Sequence, residues 1–259
     1  MKWAIITGAS SGIGKALAAE FSAAGFNVFL TGRNEAALKS VAAECSQRYG
    51  VQTEMCAADL SCADGIERLL GQIKSKPYRY EVLANNAGFG IHGDFASTDI
   101  DENIQLVNVQ IGAALRLTRA VLPGMIERRN GRILNVASVY SFSPVPFQSI
   151  YAACKAFLLS FSGALQNELE GTGVTVTIFC PGVTQTEFRA RAGIGQKRTD
   201  TGMTPAETAR IAFRETMRGT HVVVPGFVNR IFVFVVGLLP IRQVSRLVRF
   251  INRQRGQDQ

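Results

Sequence analysis

Thr7-Gly8-Ala9-Ser10-Ser11-Gly12-Ile13-Gly14 joins an apolar run, Trp3 to Ile6, to an alanine-rich stretch with helical periodicity. A short buried strand, a glycine turn and a helix start in that order make the phosphate-cradling βα turn of a dinucleotide fold, where backbone N–H groups and the helix dipole face a pyrophosphate. Glycine at 8, 12 and 14 removes the Cβ that would block the approach. Ser10 and Ser11 add hydroxyl donors, and Ile13 offers a first-turn N–H. The spacing is Gly-x-x-x-Gly-x-Gly, so the flanking strand and helix carry the reading more than the glycines do.

Outward from this turn, apolar runs and helical patterns alternate. Ile13 to Ala24 reads as a helix ending at Gly25, followed by a buried strand at Val28-Phe29-Leu30. Asn34 caps the next helix, with Glu35 in its first turn and Gly50 past its end. A strand near Gln52 to Cys56 follows, then a helix through Ile73 that Ser61 and Asp64 would cap, then a strand at Val82 to Ala84. A long helix is expected from Asp99 past Asn108 toward Pro123, where the missing N–H should kink or tighten it. Further strands are expected at Ile133 to Ala137, Val174 to Phe179 and Val222 to Val224, with helices at Tyr151 to Glu170 and Pro205 to Met217. Gly182 to Met203 is too long for an ordinary connection and is assigned to a substrate lid. The alternation predicts an α/β fold: one doubly wound parallel sheet of about seven strands, Rossmann-type, with helices on both faces and a C-terminal helical extension.

The 259 residues contain no linker, repeat or low-complexity segment, and 47% hydrophobic against 19% charged residues suits a sheet buried on both faces. Five cysteines, at 45, 56, 62, 154 and 180, have no metal-ligand spacing, and no signal-type segment precedes the first strand. A reducing cytoplasm and no metal are therefore expected. The net charge of +8 is concentrated at the end, where Arg230, Arg242, Arg246, Arg249, Arg253 and Arg255 face only Asp258 from Gly226 onward. Without aromatic platforms or a reader motif this does not indicate nucleic acid.

Tyr151 and Lys155 lie four residues apart on one helix, so an ammonium can reach beneath a phenol and favour its ionised form. Ser138, at the end of a strand, can donate a hydrogen bond to the same substrate oxygen. With these residues behind the glycine turn, the chain resembles the short-chain dehydrogenase/reductase family over roughly Lys2 to Val224. The family's glycine motif matches Thr7 to Gly14. Its Asn-Asn-Ala-Gly segment matches Asn85 to Gly88, which assigns Asn85, Ala87 and Gly88 to cofactor binding. Its tetrad matches Asn108, Ser138, Tyr151 and Lys155. Asp59 and Leu60 match its adenine-contacting pair, and Pro181-Gly182, Thr184 and Thr186 its segment near the carboxamide.

The resemblance implies hydride transfer between a nicotinamide and a carbonyl or secondary alcohol. Tyr151 would be acid or base, Ser138 would orient the oxygen, Lys155 would lower the tyrosine pKa and hold the ribose, and Asn108 would position a water. Residues 1–225 would form the cofactor-binding and catalytic domain, and 226–259 an apolar then basic extension of it. Arg33 stands where an acidic residue would hold the ribose hydroxyls of NAD. An arginine pairs with a 2′-phosphate, so NADP(H) is expected, with Glu35 as the NAD-type rival. Cys154, where many relatives have serine, reads as a small buried side chain.

Phe89, Phe142, Pro144, Val145 and Phe147 are expected as walls for an apolar carbonyl or alcohol substrate. Arg189, Arg191, Lys197 and Arg198 in the lid leave room for an anionic group or simply face water. A homo-oligomer is expected. The competing readings are a non-catalytic NADP-binding sensor or scaffold, and an epimerase or dehydratase that reuses bound cofactor. In the tail, Arg242, Arg246, Arg249 and Arg253 share one helical face, opposite Ile241, Val244, Leu247, Val248 and Ile251. The preceding apolar run, Ile231 to Leu239, is too short to cross a bilayer needing about 20 residues. Peripheral membrane contact through 226–255, packing on the domain and a subunit contact are the three readings of this segment.

Overall fold

The computed structural model describes residues 1–194 and 202–254. Seven parallel strands form one sheet in the order β3-β2-β1-β4-β5-β6-β7. They are β1 (Lys2–Thr7), β2 (Asn27–Gly32), β3 (Thr53–Ala57), β4 (Arg79–Asn85), β5 (Gly131–Val136), β6 (Val174–Phe179) and β7 (Val222–Val223). The strand order reverses between β1 and β4, and the loops leaving these two strands bound the crevice where doubly wound sheets take their ligands.

Strand pleating sends alternate side chains into two cores. Ala4, Ile6, Val28, Leu30, Val82 and Ala84 meet α1 (Gly12–Ala23), α2 (Glu35–Tyr49) and α8 (Pro205–Arg218) on one face. Trp3, Ile5, Phe29, Leu83 and Ile133 meet α3 (Ala63–Ser75), α5 (Ala113–Glu127) and α6 (Ser149–Glu168) on the other. Each large side chain buried this way contributes about 1.5–3 kcal/mol. The near-continuous apolar character of the strands follows from being covered on both sides.

Local signals set most boundaries. The Asn34 side chain accepts from the Ala37 N–H, and Gly50 ends α2 in the left-handed conformation at φ 67°. Asp99 caps α4 (Ile100–Val107) by accepting from the N–H groups of Asp101 and Glu102. Two expectations are corrected. Ser61 does not cap α3: its hydroxyl and N–H both donate to Asp59, and Cys62 becomes the N-cap without a side-chain bond. The long helix also changes register at Asn108–Gly112, a π turn between α4 and α5, whereas Pro123 lies within α5. Here the Ala113 N–H bonds to the Asn108 carbonyl, five residues back.

The expected lid holds a short helix, α7 (Phe188–Arg191), and a parallel bridge between Thr184 and Met203; Lys197 and Arg198 lie outside the described residues. The chain then ends in α9 (Phe227–Leu238) and α10 (Ile241–Gln254). Val244 and Val248 of α10 are buried with Val145, Ala152 and Val236, so the apolar side of this helix packs on the domain. Two positions depart from the expected face: Ile241 is 72% exposed at the helix start, and Asn252 joins the buried side at 2%.

Candidate active site

The glycine turn opens toward the crevice through its backbone. Gly8 and Gly12 have φ of 66° and 55°, the left-handed region that favours glycine. A Cβ on Gly14 would collide with the Gly8 carbonyl oxygen and stand 2.6 Å from Asn86 Nδ2. Ser11 is the N-cap of α1 but its side chain makes no capping bond, and the first turn carries no acidic residue. The helix N-terminus therefore keeps donors and a positive field for an anion. This cradle, which any side chain at position 8, 12 or 14 would obstruct, fits a dinucleotide pyrophosphate.

Asn86 fixes the turn against β4. Its Nδ2 donates to the Thr7 carbonyl at 2.9 Å, and the N–H groups of Asn86 and Ala87 both donate to Thr7 Oγ1 at 2.9 Å. Asn85, singled out from the sequence, points elsewhere: its amide donates to Asn135 Oδ1 at 2.8 Å and Thr118 Oγ1 at 3.2 Å inside the sheet. Consecutive residues leave a strand on opposite sides, so only one of two adjacent asparagines can reach the glycine turn. Asn86→Ala should remove the side-chain part of this strap, the Nδ2 bond to the Thr7 carbonyl, and leave the two main-chain bonds to Thr7 Oγ1, costing about 1–2 kcal/mol. Thermal unfolding should then shift down by about 2–6 °C; an unchanged Tm would show that the strap is dispensable.

At the end of β2, Arg33 is exposed and Gly32 lies against Ser10, with 3.3 Å from its would-be Cβ to the Ser10 hydroxyl. Asp59 stands nearby. Partial burial would raise its pKa, but hydrogen bonds from the Ser61 N–H and hydroxyl, with the charge of Arg33, hold it below the usual carboxylate range. Glu35 is committed to Lys39 at 2.7 Å across one helical turn. Arg33 and the Ser10 hydroxyl give the β2 end a cation and a donor for an anionic group, beside the Asp59 carboxylate.

Ser138, Tyr151 and Lys155 converge beyond the end of β5. Ser138 caps the 3-10 turn Val139–Phe142, and its hydroxyl lies near enough to the Tyr151 phenol for a hydrogen bond between them to act to lower the phenol pKa. Lys155 Nζ lies 5.5 Å from the centre of the Tyr151 ring and donates to the Val136 carbonyl at 2.9 Å. Both are buried, at 8% and 5% exposure. The expected lowering of the phenol pKa is not found. Burial raises it well above the ordinary value and outweighs the Ser138 hydrogen bond, while the same burial brings the Lys155 ammonium down to about 8.

Asn108, in the π turn, donates from Nδ2 to the Ser61 carbonyl at 3.0 Å, tying the helix to the loop that carries Asp59 and Leu60. Gln110 on the same turn packs on Gly88 and donates to the Phe89 carbonyl at 2.8 Å. Nothing in the sequence marks this residue: a glutamine two positions beyond Asn108 carries no local signal of such a role. Cys154 is a buried thiol pushed up to about 11 by burial, hence unreactive.

The apolar walls differ in part from expectation. Phe89 joins the cluster around Tyr151, as do Leu106, Ile91 and Phe188. The Phe188 ring of α7 lies 5.5 Å from that of Tyr151 and closes over Gly90. Val145 is withdrawn from the site, 2% exposed beneath α10, and Phe147 lies under Arg249 at 5.3 Å. Pro181 accepts from the Val139 N–H at 3.0 Å, Gly182 lies against Asn229 of α9, and Thr186 faces Gly12. Thr184 bonds through its carbonyl to the Thr186 N–H at 2.8 Å. Among the described residues, no group of three or more acidic, histidine or cysteine side chains is placed to hold a metal.

A family model for short chain dehydrogenases matches residues 2–197, and the chain belongs to the short-chain dehydrogenase/reductase family. It is similar to a very-long-chain 3-oxoacyl-CoA reductase of Laccaria bicolor, 40% identical over 67% of this chain and 52% of the relative. The chain thus spans about half the length of that relative. A sulfoacetaldehyde reductase of Chromohalobacter salexigens is 36% identical over 76% of this chain and 78% of its own. Among solved structures, a Sphingobium yanoikuyae short-chain dehydrogenase in complex with NADPH superposes with a TM-score of 0.82 at 29% identity, covering 93% of this chain and 97% of that one.

Proposed function

We propose that this oxidoreductase is an NADPH-dependent reductase of a fairly apolar carbonyl compound, acting as a homo-oligomer. The observation that carries the reading is the buried Ser138–Tyr151–Lys155 constellation beside an open glycine cradle whose β2 end carries Arg33. The reductases among its relatives and the NADPH-bound neighbour support the same class. The apolar surroundings of Tyr151, Phe89, Ile91 and Phe188, support an apolar substrate.

NADPH, when bound, supplies a hydride to the carbonyl carbon. The first-turn amides of α1 with Ser10 and Ser11 would hold its phosphates, Arg33 would pair with its 2′-phosphate, and Asp59 and Leu60 would bind its adenine end. The substrate oxygen accepts hydrogen bonds from Ser138 and Tyr151. As negative charge develops on that oxygen, the phenol proton moves to it and the product leaves as an alcohol. A phenol kept protonated by burial is the form that reduction requires. The Lys155 ammonium then stabilises the phenolate left behind, a contribution strengthened by the dry surroundings. Asn108 acts as a positioning residue, holding the loop of Asp59 and Leu60 against the helix.

The cofactor assignment is tested at Arg33. Its charge-assisted bond to the 2′-phosphate contributes about 1.5–3 kcal/mol. Arg33→Ala should therefore narrow the NADPH-over-NADH preference in kcat/KM by about 10- to 150-fold. Equal kcat/KM for the two cofactors in the unmodified protein would refute the assignment.

A further inference from the structure

The two sides of α9 have different surroundings. Phe232, Val236 and Leu239 pack with Val145, Ala152, Val244 and Val248, and Asn229 lies against Gly182. Phe227, Val228, Ile231, Phe234 and Leu238 point outward, at 76%, 74%, 48%, 68% and 69% exposure. At helical spacing these five and Val235 fall within one arc of about 120° with no polar side chain inside it. Ile241, at the start of α10, extends the patch at 72% exposure. Isolated exposed apolar residues are ordinary, but a contiguous stripe of this length marks a surface that meets something apolar.

What it meets is indicated by the charge around it. Arg230, Arg242, Arg246 and Arg249 are exposed, and no acidic residue occurs between Glu215 and Asp258. We propose that α9 and α10 dock the protein on an anionic membrane surface, the outer side of α9 entering the headgroup–acyl boundary and the arginines contacting lipid headgroups. The packing of Val244 and Val248 accounts for the amphipathic character of α10, so the case rests on the outer face of α9 and on the purely basic charge of the two helices. A second copy of the chain is the weaker occupant. Closing two such faces would bring both sets of arginines together with no carboxylate from α9 or α10 to offset them. Among the described residues no helix is long and apolar enough to cross a membrane, which leaves a contact lying on the surface.

The docking face shares a wall with the candidate active site. Tyr140 and Phe142, between Ser138 and Tyr151 in sequence, pack with the inner side of α9 and α10, and the Tyr140 hydroxyl bonds to Asn252 of α10 at 3.3 Å. On the reductase reading, the docked membrane therefore lies behind one wall of the site, and an apolar carbonyl compound dissolved in it is the matching substrate source. Docking itself does not depend on that reading.

The test is sedimentation of the full-length protein with vesicles of phosphatidylcholine alone and of phosphatidylcholine with added phosphatidylserine. The expected result is binding that requires phosphatidylserine and weakens with salt. Phe227→Ser/Phe234→Ser/Leu238→Ser should lower the partition coefficient by more than about 20-fold, since apolar insertion supplies much of the affinity. Arg242→Gln/Arg246→Gln should lower it less and reduce its dependence on salt. The triple variant should keep its circular dichroism, its Tm and its rate on a water-soluble carbonyl. A full-length protein that stays in the supernatant overturns the proposal, as does a triple variant that still sediments fully. Conversion of an oligomer to a smaller species by the triple variant, with no vesicle binding by either protein, would assign the face to a second copy. Vesicle binding with no turnover of any carbonyl would overturn the reductase reading and leave the docking intact.

Discussion

Tyr151→Phe is expected to lower kcat for carbonyl reduction by about 100- to 10,000-fold, the range spanned by loss of a positioned general acid. The substitution removes one oxygen from a side chain that is 8% exposed and leaves the ring against Phe188. The fold and the cradle at Gly8, Gly12 and Gly14 are untouched, so the NADPH dissociation constant, measured by fluorescence titration, should be unchanged. A variant that turns over at the wild-type rate would remove Tyr151 from the proton-transfer step. Equal losses in turnover and NADPH affinity would make it a binding residue instead.

Lys155→Met should lower kcat/KM by about 100- to 1,000-fold, because it removes the charge that stabilises the phenolate. It should also weaken NADPH binding, since family resemblance places the same ammonium on the ribose. The pH dependence separates this role from simple packing. With the Lys155 pKa lowered to about 8 by burial, the ammonium is present below that pH. Reductive kcat/KM should therefore be level below about pH 8 and fall above it, and the variant should lack that break.

The same shift acts on stability. Between about 8 and the ordinary 10.5 the unfolded chain binds the lysine proton and the folded chain does not, so stability from this group rises with pH across that window. Buried thiols with raised pKa, Cys154 among them, act in the opposite sense above about 9, so the rise should appear in the difference in unfolding free energy between the unmodified protein and Lys155→Met, measured with denaturant at several pH values. A break in kcat/KM that persists in the variant would assign it to another group.

Much of this was legible in the sequence because its causes are local or periodic. The first strand, glycine turn and α1 follow from adjacent residues, the ends of α2 from Asn34 and Gly50, and the start of α4 near Asp99 from the onset of helical periodicity. The convergence of Ser138, Tyr151 and Lys155 followed from helical spacing together with family motif order. The rest depends on what packs against what. The π turn at Asn108–Gly112 has no composition that distinguishes it from continuing helix, and its side chains are engaged with Ser61 and Phe89 from distant loops. Whether Asn85 or Asn86 straps the glycine turn depends on strand register, which the pair of letters does not encode. The tyrosine pKa was misjudged because pairing with Lys155 was visible in the sequence while burial of both side chains was not. In the tail, periodicity described α10 well but could not assign its apolar side to the domain and that of α9 to the exterior.

The central claim, that these residues move a hydride and a proton onto a carbonyl, is tested most directly by isotope transfer. The protein is incubated with NADPH deuterated at the transferable position of the nicotinamide and a panel of aliphatic, aromatic and 3-oxoacyl thioester carbonyl compounds. Product is then analysed by mass spectrometry. The account predicts an alcohol carrying one deuterium on the former carbonyl carbon for each NADPH consumed, formed at least about 100-fold more slowly by Tyr151→Phe. NADPH that binds but is not consumed with any of these compounds, or product formed without deuterium, would contradict it and point to a nucleotide-binding scaffold or to an isomerising or dehydrating enzyme.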